Sequence, residues 1–395
     1  MFEHLENFPA DPILKLMGEY QADSRAEKID LGVGVYKNEE GDTPVLKAVK
    51  IAEARILESE STKSYVGPAG NHEFNQLLSA ELLGQNHSAI SAGRVKAIQT
   101  PGGCGALKAL ADLIARTKPG AKVFVSNPTW ANHEAIFSGS GLTVEYYGYY
   151  DKANSQLTFD LMMQDLQKAK AGDLVLVHGC CHNPCGADLS LAQWQMFAEL
   201  ANKNGFTPFI DVAYQGFGID LETDAAGLRL VAEQCPEVLI AASCSKNFGL
   251  YRERTGLAML ITHDETATTK ALSQLLAATR ANYSMPPSHG AAIVAEILST
   301  ELKTLWIEEL EAMHGRISGL RQALNRALKA RGANNFDFIE EQKGMFSFLG
   351  LSEAQVARLK SEYAIYMVGS SRINIAGISS ANLEYLADSI VAVLE

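Results

Sequence analysis

Short apolar runs alternate with longer amphipathic segments along the middle of the chain. The short runs are rich in β-branched residues and predict buried strands, whereas apolar residues recurring every three or four positions predict helices. Their alternation is typical of a mostly parallel sheet covered by helices, a doubly wound α/β core. The predicted strands are 95–100, 122–127, 143–149, 174–178, 207–211, 238–243 and 256–261, and the predicted helices include 105–117, 191–204 and 266–282.

The pattern changes after Pro286 and Pro287, where apolar residues recur at three and four positions along one long segment. This spacing predicts a long connecting helix that ends before Gly332. Its apolar positions are Leu310, Met313, Ile317, Leu320, Leu324 and Leu328. Beyond it we expect a strand pair around 336–348, a helix at 353–362, strands near 365–368 and 373–375, and a final helix from Ala381. We therefore predict a large domain over 46–312 and a smaller α+β domain formed by 1–45 and 313–395.

Composition and charge narrow the classes of function. Hydrophobic residues make up 47% and charged residues 20% of the 395 positions, which is ordinary for a globular protein and excludes a disordered or fibrous chain. With 34 Lys and Arg against 46 Asp and Glu, the formal net charge is −12, so nucleic acid and anionic membranes are poor partners. An anionic ligand would have to be held by a few placed arginines.

The sequence also bears on location and on the state of the cysteines. No run approaches the roughly 18 apolar residues of a transmembrane helix. Glu3 and Glu6 stand where a secretory signal needs basic and then apolar residues, so we expect a cytoplasmic protein with no membrane partner. Six cysteines in so long a chain do not resemble the disulfide framework of a small secreted domain, and we expect reduced thiols.

A glycine-rich turn joins a predicted strand to a predicted helix in QTPGGCGALKAL, residues 99–110. Gly102, Gly103 and Gly105 let the backbone approach a ligand closely, and the free N–H groups at a helix start favour a phosphate. A tight strand-to-helix turn without a ligand would use the same glycines, so the spacing alone leaves both interpretations open.

Two charged residues follow predicted strands. Asp211 in TPFIDVAYQGFG ends an apolar strand, and a buried acid there needs a cation or a donor beside it. A helix cap or a structural ion pair would also explain it. Lys246 in ASCSKNFGLYRERTGLAML follows the next strand, with Arg254 eight residues on. A partly desolvated lysine near another cation can act as a nucleophile or base, although a surface lysine after a strand is commoner.

Three other interpretations of the sequence are a metal site, a nicotinamide dehydrogenase and a non-catalytic binding module. The cluster HGCCHNPCG at 178–186 suggests a metal, but side chains alternate at a strand end, so we expect Cys180 and Cys181 not to converge and predict no metal site. A nicotinamide dehydrogenase would need G-x-G-x-x-G and an acid after the following strand, whereas this turn has G-G-C-G and strand 122–127 precedes Pro128. In a non-catalytic binding module, Lys246 would form no covalent bond.

Taken together, these motifs identify a family. With NPTWANHEAIF at 127–137 and SSRINIAG at 370–377, they resemble the class I aminotransferases, pyridoxal-phosphate enzymes of fold type I, and within them the aspartate/aromatic branch. The resemblance runs from DPILKL at 11–16 to the last helix. It implies a PLP-dependent transferase fold with a seven-stranded sheet in the large domain, and transfer of an amino group between aspartate or glutamate and their 2-oxo acids.

The resemblance also implies roles around the cofactor ring. Lys246 would bond the cofactor aldehyde and later move a proton between the substrate and the cofactor. Asp211 would accept the pyridine N–H, with His133 supporting it, so that the ring withdraws electrons. Asn183 and Tyr214 would hydrogen-bond the ring oxygen, and Trp130 would stack on the ring face.

At the cofactor phosphate, the resemblance implies contacts from Gly103, Cys104, Ser243 and Arg254, and from Tyr65 of a neighbouring subunit. Cys104 departs from the family pattern, because threonine or serine is usual at this position. A thiol is a weaker donor than a hydroxyl, so we expect modestly weaker cofactor retention.

The substrate contacts implied by the resemblance are two arginines and a glycine. Arg372 would clamp the α-carboxylate, with the Gly34 backbone closing over it, and Arg280 of the other subunit would bind a side-chain carboxylate. Two such guanidinium groups imply dicarboxylic amino acids and 2-oxo acids as substrates, and a homodimer with shared sites. Aromatic-preferring members of the branch share these residues, so preference for aromatic substrates stays open as the alternative.

Overall fold

The computed structural model describes residues 2–7 and 12–395. Its helices are α1 Pro12–Ala22, α2 Lys47–Ser59, α3 His72–Leu83, α4 Ser88–Ser91, α5 Gly102–Thr117, α6 Asn132–Ser138, α7 Phe159–Leu166, α8 Leu191–Asn204, α9 Leu221–Gln234, α10 Glu265–Asn282, α11 His289–Ser299, α12 Leu302–Ala330, α13 Phe338–Glu341, α14 Glu353–Tyr363 and α15 Leu383–Leu394, with 3-10 turns at Phe2–His4 and Ile375–Gly377. Its strands are β1 Ile29–Asp30, β2 Val95–Pro101, β3 Lys122–Asn127, β4 Thr143–Gly148, β5 Tyr150–Asp151, β6 Gln156–Leu157, β7 Leu174–His178, β8 Thr207–Val212, β9 Val238–Ser243, β10 Thr255–Ile261, β11 Phe346–Phe348, β12 Ile365–Tyr366 and β13 Arg372–Asn374.

A seven-stranded sheet forms the centre of the molecule, in the order β2-β10-β9-β8-β7-β3-β4. Only β10 runs antiparallel to its neighbours among these strands. The seven predicted strands are confirmed, with differences of one residue at some ends. Their near-continuous apolar runs are what a sheet covered on both faces requires, because neither face of such a strand meets water.

The register of the parallel strands brings the charged motifs to one edge of the sheet. His178 at the end of β7 pairs with Asp211 near the end of β8, and Asp211 in turn pairs with Ala241 of β9. The loops that follow β3, β7, β8 and β9 therefore meet at the carboxyl edge, where open α/β sheets bind ligands.

Helix α5 begins at Gly102, three residues before its predicted start. Gly102 has a φ of +70°, and an added Cβ would lie 2.6 Å from the Arg254 guanidinium. Among the described residues, no side chain caps this helix, and its first turn has no acid. The free N–H groups of Gly103 and Cys104 consequently lie at the carboxyl edge beside an arginine.

The N-terminal and C-terminal segments associate through short strand pairs. β1 pairs parallel with β12, and β11 pairs antiparallel with β13. The predicted long helix is α12, whose buried stripe includes Leu310, Met313, Ile317, Leu324 and Leu328. The predicted division between residues 312 and 313 falls inside this unbroken helix, and the domain boundaries stay a prediction.

The predicted strand pair around 336–348 is wrong. This segment contains α13 and a single strand, β11, whose partner comes from 372–374. The cause is Arg321, a buried side chain that donates to the carbonyls of Ile339, Lys343, Gly344 and Phe346. The guanidinium takes carbonyl acceptors along this segment that a hairpin partner would otherwise use.

Within the described ranges, no helix has both the length and the apolar composition needed to cross a bilayer.

Candidate active site

A cavity of about 230 Å³ opens at the carboxyl edge of the sheet. Eleven of the residues predicted to contact the cofactor or the substrate line it. They are Gly34, Gly103, Cys104, Trp130, Asn183, Asp211, Tyr214, Ser243, Lys246, Arg254 and Arg372. Residues from the N-terminal segment, the sheet and the C-terminal segment thus meet in one space.

Asp211 lines the cavity near the end of β8, and His133 forms a hydrogen bond with its carboxylate. Its Oδ2 atom lies 3.0 Å from His133 Nε2, and His133 Nδ1 lies 2.8 Å from the Thr129 hydroxyl oxygen. Burial acts to raise the pKa of Asp211, but the hydrogen bond from His133 and nearby positive charge outweigh it, so the pKa lies below its ordinary value. The cavity therefore contains a carboxylate that stays ionised near neutral pH.

Lys246 follows β9, and its Nζ atom lies 4.8 Å from the centre of the Tyr214 ring. Burial lowers the pKa of this amine, and the charge of Asp211 only partly offsets the effect. A lysine with a lowered pKa offers more of its unprotonated, nucleophilic form at neutral pH. The cavity thus pairs an activated amine with an ionised acid.

The glycine turn and two serines form another wall of the cavity. An added Cβ at Gly103 would lie 3.1 Å from the Ser243 Cβ, so the glycine permits close contact between the turn and the end of β9. Arg254 donates to the Tyr251 carbonyl at 3.0 Å and to the Ser245 hydroxyl at 3.4 Å. Free N–H groups, hydroxyls and a guanidinium together suit a phosphate.

Arg372 lies at the opposite side of the cavity, in β13. It donates to the Gly32 carbonyl at 2.8 Å, and its guanidinium carbon lies 4.4 Å from the centre of the Phe346 ring. Burial lowers its pKa. A buried guanidinium between a carbonyl and an aromatic face is placed to bind a carboxylate.

Gly34 lies in a loop that is fixed from beneath. Asn374 donates to the carbonyls of Val33 and Val35, on either side of the glycine, at 2.6 and 2.7 Å. An added Cβ at Gly34 would lie 3.0 Å from the Phe346 ring. A larger side chain would therefore crowd the aromatic wall beside Arg372.

Several buried polar atoms at this cavity lack a hydrogen-bond partner among the described residues. They are Asn183 Oδ1, Arg372 Nε and both ring nitrogens of His178. Buried polar groups are normally paired, so these atoms indicate a ligand that supplies polar groups to the cavity. Asn183 Oδ1 accepts and Arg372 Nε donates, so a ligand with both donors and acceptors fits the cavity, as pyridoxal phosphate and an amino-acid substrate would.

Tyr65 and Arg280 are the two predicted residues that the structure does not bring to the cavity. Tyr65 is 94% exposed, and Arg280 lies exposed near the end of α10, where it donates to Ser284. Both are predicted to act from a neighbouring subunit, and their roles stay predictions.

Sequence reasoning missed parts of the site. Thr129, Tyr251 and Phe346 were not predicted, and His178 was given no chemistry. Thr129 precedes Trp130 in the NPTW motif, and Tyr251 lies in the same loop as Arg254, so proximity to a motif could have indicated both. Phe346 had no such signal, because only the pairing of β11 with β13 brings it beneath Arg372.

The expectation that Cys180 and Cys181 point apart is wrong. Their thiols and the Asp224 carboxylate lie within 4.8 Å of one another. Cys181 has a φ of 50°, outside the extended conformation in which side chains alternate, and this turn brings the thiols together. Asp224 already accepts N–H groups from three residues, namely Gly216, Gly218 and Ile219.

The fold and the cavity define a class of protein. A mostly parallel seven-stranded sheet presents a lysine, an ionised aspartate and a glycine-rich helix start in one cavity, and the family model for aminotransferases of class I and II matches residues 26–390. The chain belongs to this family, and the predicted fold type is confirmed.

Two relatives and one solved structure are similar to this chain over its whole length. The chain is 48% identical to an aspartate aminotransferase of Escherichia coli over 396 aligned positions, covering 100% of both chains. It is 47% identical to an aromatic-amino-acid aminotransferase of Paracoccus denitrificans, also with full coverage of both. Among solved structures, an aromatic-amino-acid aminotransferase from Burkholderia pseudomallei covalently bound to pyridoxal phosphate superposes with a TM-score of 0.98 at 43% identity, covering 100% of both chains.

Proposed function

We propose that this chain is an aspartate aminotransferase that uses pyridoxal 5′-phosphate. It would exchange the amino group between L-aspartate or L-glutamate and the corresponding 2-oxo acids in two half-reactions. The observation that carries the proposal is one cavity that contains the lysine amine, the ionised Asp211 and the Arg372 guanidinium.

When bound, pyridoxal phosphate supplies an aldehyde that bonds amines and a ring that draws electrons from the bonded carbon. Asp211 would accept the N–H of the ring nitrogen, which requires the aspartate to remain an anion. His133 Nε2 donates to that anion at 3.0 Å, and His133 Nδ1 lies 2.8 Å from the Thr129 hydroxyl, so contacts on both ring nitrogens orient the ring toward the carboxylate. This chain of groups keeps the acid ionised in a buried place.

Lys246 would act first as the attachment point and then as the group that moves protons. Its lowered pKa would allow the Nζ atom to take a proton from the substrate Cα at neutral pH and to deliver it to a carbon of the cofactor. Tyr214 is buried next to it, and burial raises the pKa of its hydroxyl, which stays protonated as a donor. Asn183 would present a second polar group to the ring oxygen, and Trp130 would cover the ring face.

The two ends of the bound molecules would be anchored by different groups. Gly103, Cys104, Ser243 and Arg254 would hold the cofactor phosphate, and Arg372 with the Gly34 backbone would hold the substrate α-carboxylate. A second copy of the chain would supply Tyr65 and Arg280, which gives a homodimer with shared sites. We also propose that the enzyme is cytoplasmic.

Covalent attachment of the cofactor gives the direct test. Borohydride reduction of the loaded protein followed by peptide mapping should label Lys246 alone. Label at another lysine, or purified protein that neither carries nor takes up the cofactor, would overturn the proposal.

Aromatic amino acids are the alternative substrate class, because the aromatic-amino-acid aminotransferase is 47% identical to this chain and the aspartate enzyme 48%. Specificity constants for aspartate and phenylalanine, each with 2-oxoglutarate as acceptor, separate the two. We expect aspartate to have the larger constant, and a larger constant for phenylalanine would establish the alternative.

A further inference from the structure

Cys104 differs from the other cysteines in its surroundings. Cys180, Cys181, Cys185, Cys235 and Cys244 are buried, whereas Cys104 is partly exposed. Its residue lines the cavity that also contains Lys246 and Arg254. Cys180 also lines this cavity but is only 5% exposed, so a thiol reagent that enters the cavity meets Cys104 as the more accessible sulfur.

The surroundings of Cys104 suit an anion. The residue lies in the first turn of α5, where the backbone N–H groups have no intrahelical partner. Asn132 Nδ2 donates to Cys104 Sγ at 3.6 Å. Burial lowers the pKa of Lys246, and Cys104 is close enough to oppose that shift electrostatically. The N–H groups of the first turn, the Asn132 amide and the Lys246 amine thus all lie near the Cys104 sulfur.

A ligand is indicated by atoms other than this cysteine. Asn183 is 7% exposed and Arg372 is 7% exposed, and each has a buried polar atom without a partner among the described residues. Both residues line the same cavity as Cys104. Cys104 thus lines a cavity whose unpaired polar atoms indicate a bound ligand.

We propose that Cys104 is a modification site that cofactor binding closes. In the cofactor-free chain the thiol is open to soft electrophiles and to hydrogen peroxide, and in the loaded enzyme the phosphate group covers it. This inference rests on the proposed function, because it takes the glycine turn as the phosphate site. It goes beyond that function because cofactor loading and thiol oxidation would each oppose the other.

The Cys104 thiol and hydrogen peroxide are the only reactants that this oxidation needs. The sulfur attacks one oxygen of hydrogen peroxide, the O–O bond breaks, and the departing hydroxide takes up the thiol proton as water. The sulfur is oxidised by two electrons to sulfenic acid, and the peroxide is reduced. The added oxygen occupies space beside the helix N–H groups and competes with a phosphate oxygen for them.

Labelling with iodoacetamide tests the accessibility. The cofactor-free full-length chain should take up one label, at Cys104, as found by peptide mass spectrometry. The loaded enzyme should react at least about tenfold more slowly, and inorganic phosphate alone should protect in part. Equal rates with and without cofactor, or first labelling at a buried cysteine, would overturn the inference.

Reloading after oxidation tests the consequence. Cofactor-free protein treated with peroxide should regain cofactor absorbance more slowly than untreated protein, and a thiol reductant should restore the rate. Cys104→Thr is the matched control and should reload at the same rate with or without peroxide. If wild type reloads normally while carrying sulfenic acid at Cys104, the inference fails and the proposed function stands. If untreated protein takes up no cofactor, the proposed function fails, and the phosphate arm of the labelling experiment still tests the thiol site.

Discussion

The two ends of the cavity are built in different ways. At one end Ser243 ends β9, and Gly103 and Cys104 begin α5 directly after β2, so all three are held by a sheet of seven paired strands. At the other end Phe346 and Arg372 lie on a pair of three-residue strands, with Gly34 in a loop. A large sheet fixes its edge through many ladder hydrogen bonds, whereas the second end depends on a few side-chain contacts. Substitutions at the sheet end should therefore alter only the groups that contact the bound molecule. Substitutions at the β11–β13 end should also shift the positions of neighbouring side chains.

Lys246→Ala should have the largest effect. The substitution removes the amine that attaches the cofactor and moves the proton, so turnover should fall by several orders of magnitude. The cofactor should still bind non-covalently, because the phosphate and ring contacts remain. Stopped assays of amino-group transfer and absorbance of the dialysed protein measure the two properties. Lys270→Ala, at an exposed lysine of α10, is the control, and appreciable turnover by the Lys246 variant would contradict the assignment.

Arg372→Leu should come next and should affect every substrate. The variant leaves an α-carboxylate in a buried pocket without its cation, which costs on the order of 2 to 5 kcal/mol in kcat/KM. Arg372→Lys retains the charge but loses the planar fork, and it should recover only part of the loss. Steady-state kinetics with aspartate and phenylalanine provide the measurement. A defect confined to dicarboxylic substrates would contradict the assigned role.

Arg280→Leu tests the part of the site that a second subunit would supply. Aspartate and glutamate should lose kcat/KM by up to a similar amount, while phenylalanine, which has no second carboxylate, should lose little or none. The ratio of the two specificity constants measures the effect, and the aromatic substrate is the internal control. Equal losses for both substrates would mean that Arg280 does not read the side-chain carboxylate.

The contrast between the two ends also explains what the sequence could predict. Each strand of the central sheet can be predicted from the apolar pattern of its own segment. Lys246, Asp211 and the glycine turn directly follow or end such strands, and they could therefore be predicted as well. The position of Phe346 beneath Arg372 depends on pairing between segments far apart in sequence. The convergence of Cys180 and Cys181 depends on one backbone angle, and the helix α13 depends on Arg321, a residue outside the segment. No local pattern encodes these three features.

His133→Asn should have a smaller effect that depends on pH. The hydrogen bond from His133 helps to hold the pKa of Asp211 below its ordinary value. The carboxylate is needed as an anion, so function is present above this pKa and is lost as the pH falls through it. Removing the donor raises the pKa, and the acidic loss of kcat should therefore begin at higher pH than in wild type. His289→Asn, at a histidine that does not line this cavity, is the control, and an unchanged acid limb in the His133 variant would contradict the argument.

Cys104→Thr should have the smallest effect, at the end of the cavity that the sheet holds rigid. The hydroxyl is a stronger donor than the thiol, and the backbone N–H groups of the turn are unchanged, so cofactor retention should improve only a few-fold, about 1 kcal/mol for one hydrogen bond. The rate of cofactor loss on dilution measures it, with Cys104→Ser as a second hydroxyl without the extra methyl group. Because the surrounding framework does not move, the two variants should agree. An unchanged rate in both would mean that the side chain at this position makes no bond to the phosphate and that the N–H groups of Gly103 and Cys104, with Ser243 and Arg254, hold it unaided.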